Sequence, residues 1–236
     1  MFNKKAFTLT ELLVALAIIG AIAALSIPSL IENLNRRIMI TNFKNITASI
    51  QQAINDDQTS RLSKDLKDSP SFNDPYAVKW QAKMNVAKTC SSHKITPEDG
   101  SDPYMSRDGN CWAVDANGQA NYRTINGGNF GNDLPNNAVV VKGGATIGYV
   151  PFPGFNDAGT GAAQFTIDVN GPDEPNIVGR DLFRFYVTQK GIFAPSGAGD
   201  VSENLEKAVE GCKNGVPARC YEALVMSSWD IGVIDK

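Results

Sequence analysis

Apolar side chains crowd one end of this chain. From Leu12 to Ile31 no residue is charged and nearly every side chain is apolar. A run of that length matches the ~20 helical residues needed to cross the hydrocarbon core of a bilayer. The pattern then changes character rather than stopping. Leu30, Ile31, Leu34, Ile38, Phe43, Ile46, Ile50 and Ile54 recur about one helical turn apart, with Asn35, Arg36, Arg37, Asn42, Lys44, Asn45 and Gln51 between them. That spacing predicts an amphipathic helix with one buried stripe. Together the two segments predict one long helix, membrane-embedded in its upper half and packed on a domain by its lower half. Beyond Ile54 the chain turns polar (Asp56, Asp57, Gln58, Lys64, Asp65), and the helix is expected to fray there.

The remainder alternates instead. Phe165, Ile167 and Val169 alternate with Thr166 and Asp168, and Phe183, Phe185 and Val187 alternate with Arg184, Tyr186 and Thr188. Period-two patterns of this kind predict strands with one buried face. Gly191-Ile192-Phe193 adds a third piece to an antiparallel meander. Shorter β segments are expected at 111–115, 138–142 and 146–152, among turn formers such as Asp108-Gly109, Asn117-Gly118, Asn126-Gly127-Gly128 and Gly143-Gly144. Asp200 or Ser202 is placed to cap a short helix ending at Gly211, and an apolar segment follows at 221–226. The fold class is therefore α+β, a long N-terminal α-helix packed on an antiparallel β-sheet head.

Charge and composition narrow the function. With 25 acidic against 22 basic residues there is no general electrostatic attraction to nucleic acid. A single His, His93, reads as a solvated loop residue and leaves little for His-based catalysis or metal binding. No nucleophile elbow, phosphate-binding glycine loop or zinc-protease motif occurs, so no catalytic residue and no enzyme activity is assigned. Four cysteines, Cys90, Cys111, Cys212 and Cys220, make an even count without a C-x-x-C. In an exported chain that implies two disulfides, for which three pairings can be drawn. Local closure favours Cys90 with Cys111 and Cys212 with Cys220, each bridge adding about 2–4 kcal/mol.

The N-terminus carries a more specific signal. Lys4 and Lys5 precede the apolar run and favour a cytoplasmic start. Glu11 sits at the edge of that run, where an ionisable group is costly and usually has a partner. The string Lys5-Ala6-Phe7-Thr8-Leu9-Thr10-Glu11-Leu12-Leu13-Val14-Ala15-Leu16-Ala17-Ile18-Ile19-Gly20 closely resembles the leader of type IV prepilins and type II secretion pseudopilins. The resemblance implies a pilin-like fold and a cut by prepilin peptidase between Ala6 and Phe7, often with N-methylation of Phe7. It implies that Glu11 pairs with the new amine of a neighbouring subunit, and that Pro28 is the helix-kinking proline many members carry. Ala6 stands where the family usually has Gly, and Thr10 where it usually has a large aliphatic residue. The chain then divides into a leader (1–6), an N-terminal helix (7–58, with about 7–31 as transmembrane and assembly segment) and an exported head (59–236).

One loop in the head is chemically suggestive. Between Asp168 and Asp181 the chain offers Asp168, Asn170, Asp173 and Asp181 near two prolines. The favoured reading is a structured turn in which Asp and Asn side chains cap backbone N–H groups. The alternative is a calcium site, since hard oxygen donors gather there and some members of the resembled family bind calcium in a sheet-edge loop.

The function expected is that of a structural subunit, major or minor, of a type IV pilus or of a secretion or competence pseudopilus. Its partners would be the prepilin peptidase, other subunits and the assembly platform. It would sit as a single-pass protein in the inner membrane before joining a surface pilus or periplasmic pseudopilus. Two alternatives stand beside this: an adhesive or ligand-binding tip subunit, and a secreted soluble protein behind an ordinary signal peptide, whose mature chain would begin near Ala24.

Overall fold

A computed structural model describes residues 8–66, 69–72, 84–96, 104–131, 133–151, 162–194 and 201–235. The chain forms two compact units, Met1–Ile38 and Met39–Lys236. A single helix, α1 (Leu9–Arg61), belongs to both. Its helical assignment runs through Pro28, the residue that the resemblance marks as helix-kinking. A proline removes one N–H from the ladder, and the neighbouring turns keep theirs. Ser26 and Ser29 hydroxyls donate back to the carbonyls of Ile22 and Ser26 at 2.8 and 3.0 Å.

The second unit is built on a six-stranded antiparallel sheet. Its strands are β1 (Val86–Ser91), β4 (Asn137–Val141), β5 (Thr146–Val150), β6 (Ala162–Asp168), β7 (Leu182–Thr188) and β8 (Phe193–Ala194), in that spatial order. A separate pair joins β2 (His93–Ile95) to β3 (Tyr104–Ser106). His93 is exposed, as expected, but it sits in β2 opposite Ser106 rather than in a loop. After the sheet come α2 (Leu205–Lys213), α3 (Pro217–Met226) and α4 (Gly232–Asp235).

Within this unit α1 buries Ile40, Phe43, Ile46, Thr47, Ile50, Ala53 and Ile54. Phe43 is fully buried and stacks on Phe183 with ring centroids 4.6 Å apart, flanked by Phe185, Tyr221 of α3 and Trp229. The register explains this face: Phe165 lies opposite Phe185 and Ile167 opposite Phe183. Leu30, Ile31, Leu34 and Ile38, which the sequence placed on the same stripe, are about half exposed or more. The buried stripe therefore starts at Ile40.

The helix does not fray after Ile54 but continues to Arg61. Polar side chains that looked like loop solvation close its end instead. Asp57 pairs with Arg61 at 2.6 Å and accepts from the Ser69 hydroxyl, while the Gln58 amide donates to the carbonyls of Lys64 and Lys190. Ser63 N–H bonds back to the Gln58 carbonyl around Leu62, whose φ of 53° is the left-handed conformation of a helix C-terminus.

The strands were expected to bury one face and they bury two. Thr146, Thr166, Asp168, Leu182 and Arg184 are all buried. Residues 107–131 and 133–135 form a layer of turns over that second face. Trp112 and Pro135 approach Gly148 so closely that a Cβ there would sit 2.7 Å from each. The Thr146 hydroxyl donates to the Cys111 carbonyl at 2.5 Å, and Arg184 donates to Thr166 and Asp133. The segment 111–115, expected to be a strand, lies in this layer, where Val114 makes a single bridge to Ala120. Gly148→Ala is expected to displace Trp112 and cost about 1–3 kcal/mol through overpacking, read as a lower melting temperature with a shifted tryptophan emission.

The remaining expectations on local elements divide. The segments expected at 138–142 and 146–152 are β4 and β5, the second ending at Val150, and Phe152 lies outside the described residues. Asn204, rather than Ser202, caps α2, its side chain accepting the Lys207 N–H at 3.0 Å; Asp200 lies outside the described residues. Ser202 instead hydrogen-bonds the buried Glu222. The 221–226 segment is the second half of α3, and β1 to β3 and α4 had no clear pattern to announce them.

Candidate functional site

The assembly residues lie at the start of α1. Ala6 and Phe7 are outside the described residues, and the description begins at Thr8, one residue before the helix. Thr8 and Glu11 bond reciprocally. Thr8 N–H and its hydroxyl donate to Glu11 Oε2 at 2.9 and 2.8 Å, and Glu11 N–H donates to the Thr8 hydroxyl at 3.2 Å. This is a capping box, in which the first orphan donors of a helix are satisfied by its own first turn. Sequence reasoning overlooked Thr8, although Thr-x-x-Glu before an apolar run is a readable signal. The arrangement turns the Glu11 carboxylate back toward the N-terminal end of the helix. A carboxylate offers about four lone-pair sites, so acceptor capacity remains there for a cation.

Behind Glu11 the helix is apolar on every side. Leu12, Leu13, Val14, Leu16, Ile18, Ile19, Ile22, Leu25 and Ile27 are all at least half exposed. A helix hydrophobic all round must be covered by lipid or by other helices. By length and composition α1 is able to cross a membrane.

The four calcium candidates fall on the connection between β6 and β7 with unequal environments. Asp168 and Asp181 are fully buried, Asp173 is exposed and Asn170 is partly buried. Asp181 accepts the N–H groups of Asn176 and Ile177 at 2.6 and 2.8 Å. Asp168 accepts the Asn170 N–H at 3.2 Å and the hydroxyl of Tyr122. The Asn170 amide donates to the carbonyls of Asp173 and Glu174 at 2.7 and 2.9 Å. These bonds are those of a turn closed by its own side chains. Burial pushes Asp168 well above the usual carboxylate range, with the neighbouring Asp181 adding to it, and burial raises Asp181 to about 6 against the pull of its N–H donors. Tyr122, held between Asp168 and the Ala113 N–H, is pushed above the usual range for a phenol by burial and by the Asp168 charge. No local pattern marked Tyr122, because its partner Asp168 lies 46 positions away along the chain.

The structure pairs Cys90 with Cys111 and Cys212 with Cys220, with Cα atoms 6.5 and 4.6 Å apart. The first bridge ties the edge strand β1 to the loop layer, and the second joins α2 to α3. Among the described residues, the group of three potential metal-binding side chains that lies close together is Cys90, Asp108 and Cys111. Both sulfurs there are consumed by the disulfide, and Asp108 pairs with Lys88 at 3.0 Å.

Comparison with known proteins bears on the first locus alone. Residues 1–27 match the family model described as the prokaryotic N-terminal methylation motif. No curated protein and no solved structure matches the chain. A basic leader, a glutamate capping the first turn and an apolar helix long enough to span a bilayer thus occur within one recognised motif: the chain carries the N-terminal leader of type IV prepilins and pseudopilins, the substrate segment of prepilin peptidase.

Proposed function

We propose that this protein is a structural, non-enzymatic subunit of a type IV pilus or of a secretion or competence pseudopilus. The single observation that carries the reading is Glu11, held in the first turn of a helix whose next turns are apolar on every side, inside the methylation motif. Prepilin peptidase would cut between Ala6 and Phe7 and methylate the new amine. The processed protein would wait in the inner membrane with its head exported, where an oxidising compartment suits two disulfides. Assembly would bury the apolar helix among its neighbours and pair Glu11 with the Phe7 amine of the next subunit, two opposite charges that lipid leaves no better partner.

N-terminal sequencing and mass measurement of the mature protein test the processing step. The expected result is a chain beginning at N-methylated Phe7. A chain beginning near Ala24 would mean that an ordinary signal peptidase had removed the helix, and filament assembly through it would be ruled out.

A further inference from the structure

The apolar run of α1 ends at Ile31, and the turn after it carries charges that the pairing of Glu11 does not use. From Phe7 to Ile38 the basic side chains are Arg36 and Arg37 alone, and Glu32 stands one turn before Arg36. All three lie in the first compact unit, on a helix assigned without a break from Leu9 to Arg61. At a rise of about 1.5 Å per residue, Arg36 and Arg37 stand about 8 and about 9 Å beyond Ile31 along the axis. The headgroup layer outside the hydrocarbon core is roughly 5–8 Å thick on each side of a bilayer. With Ile31 at the hydrocarbon edge, both arginines leave the helix at the outer rim of that layer.

Their side chains then lean back into it. Helical side chains tilt toward the helix N-terminus, which here is the direction of the membrane. Arg36 shows the tilt, since its guanidinium reaches Glu32, one turn nearer the apolar run, at 2.5 Å. Arg37 is exposed, and the Glu32 side chain is 56% exposed. Two arginines against one glutamate leave this turn net positive. A guanidinium is a planar fork of donors that fits phosphate oxygens two at a time, and its stem lies readily along apolar surface.

On the processing and topology proposed above, we infer that Arg36 and Arg37 bind the phosphates of anionic phospholipids in the exported leaflet. They become the chain's charged membrane anchor once the leader is cut. Before the cut, Lys4 and Lys5 flank the apolar run on the cytoplasmic side and the two arginines flank it on the exported side. The cut removes both lysines and leaves the Phe7 amine and Glu11, whose charges are opposite. Basic side chains beside a span are what hold that end at an anionic surface. Cleavage therefore moves the hold from the cytoplasmic face to the exported face. The competing partner is an acidic group on a neighbouring subunit. Lipid is favoured because the arginines sit at headgroup depth and point toward the span.

The test compares the uncut and the peptidase-cut full-length protein in phosphatidylcholine vesicles that carry spin-labelled phosphatidylglycerol or spin-labelled phosphatidylcholine. Lipid held at the protein surface is read as the motionally restricted signal. For the cut protein, phosphatidylglycerol is expected to be preferred by at least about fivefold, the effect of one basic group at an anionic surface. The preference is expected to fall close to one in the double variant Arg36→Gln, Arg37→Gln. In the wild type it is expected to weaken at about 0.5 M salt, a reading that needs no variant to fold. The uncut double variant is expected to keep part of the preference through Lys4 and Lys5. An equal preference in the cut wild type and the cut variant would overturn the anchor, and so would indifference to salt. Loss of filaments in the variant with an unchanged lipid preference would hand the arginines to a neighbouring subunit and overturn it as well. N-terminal sequencing of the same samples separates the two levels. A cut chain that begins at Phe7 and shows no lipid preference sinks the anchor alone, whereas one that begins near Ala24 sinks the pilin reading with it.

Discussion

Replacing Glu11 by Ala is expected to leave the protein inserted and cut before Phe7, yet nearly absent from filaments. The amine freed by cleavage needs a counter-charge as the helix enters the bundle, and an unpaired charge at mid-membrane costs about 2.5–3.5 kcal/mol on insertion scales. A cost of that size corresponds to roughly a hundredfold loss in an assembly equilibrium. Glu11→Ala also removes one arm of the capping box, worth about 1 kcal/mol to a helix start, so the loss of charge must be isolated. Glu11→Gln does this, since its amide oxygen is able to accept the Thr8 bonds while carrying no charge. Both variants are expected to fail alike when the sheared filament fraction is compared with the membrane fraction by immunoblot. Filaments at wild-type level in Glu11→Gln would sink the charge-pairing mechanism while leaving the leader assignment intact.

Phe43→Ala is expected to cost the head about 3–5 kcal/mol, the range for deleting a large aromatic side chain from a packed core. Phe43 is fully buried where α1, β7, α3 and Trp229 meet, and its ring stacks on Phe183. Small domains commonly hold only about 5–15 kcal/mol of net stability, so the variant should melt many degrees lower or fail to accumulate. Denaturant unfolding of the full-length protein in micelles gives the number. Ile38→Ala is the control: Ile38 is about half exposed and lies in the other compact unit, so its loss should hardly move the head's transition. Equal effects from the two substitutions would mean that the buried stripe does not begin at Ile40.

Much of this protein was legible because its strongest signals are local. The apolar run from Leu12 to Ile31, the alternation in β6 and β7 and the turn residues around Gly143-Gly144 each act within a few residues of themselves. The capping box is equally local, since Thr8 and Glu11 lie within one helical turn. Other features were invisible for a physical reason. β1 reads Val-Ala-Lys-Thr-Cys-Ser, and only Cys90 in it is fully buried, because it is an edge strand paired on one side. The polar residues Asp57 and Gln58 looked like a fraying helix, since their bonds to Ser69 and Lys190 join positions that no periodicity connects.

By itself, then, the sequence determined that a bilayer-length apolar helix begins near Glu11, continues as an amphipathic stripe and carries an alternating β head. Those properties follow from side-chain polarity at fixed spacing along one segment. Only the tertiary structure decided what becomes of the polar half of the alternation. Thr166, Asp168 and Arg184 would be surface residues on an open sheet, and the layer at 107–131 and 133–135 folds over them and supplies Tyr122 and Asp133 as partners. Burial of a polar position depends on what distant chain covers it, which no spacing along one segment reveals.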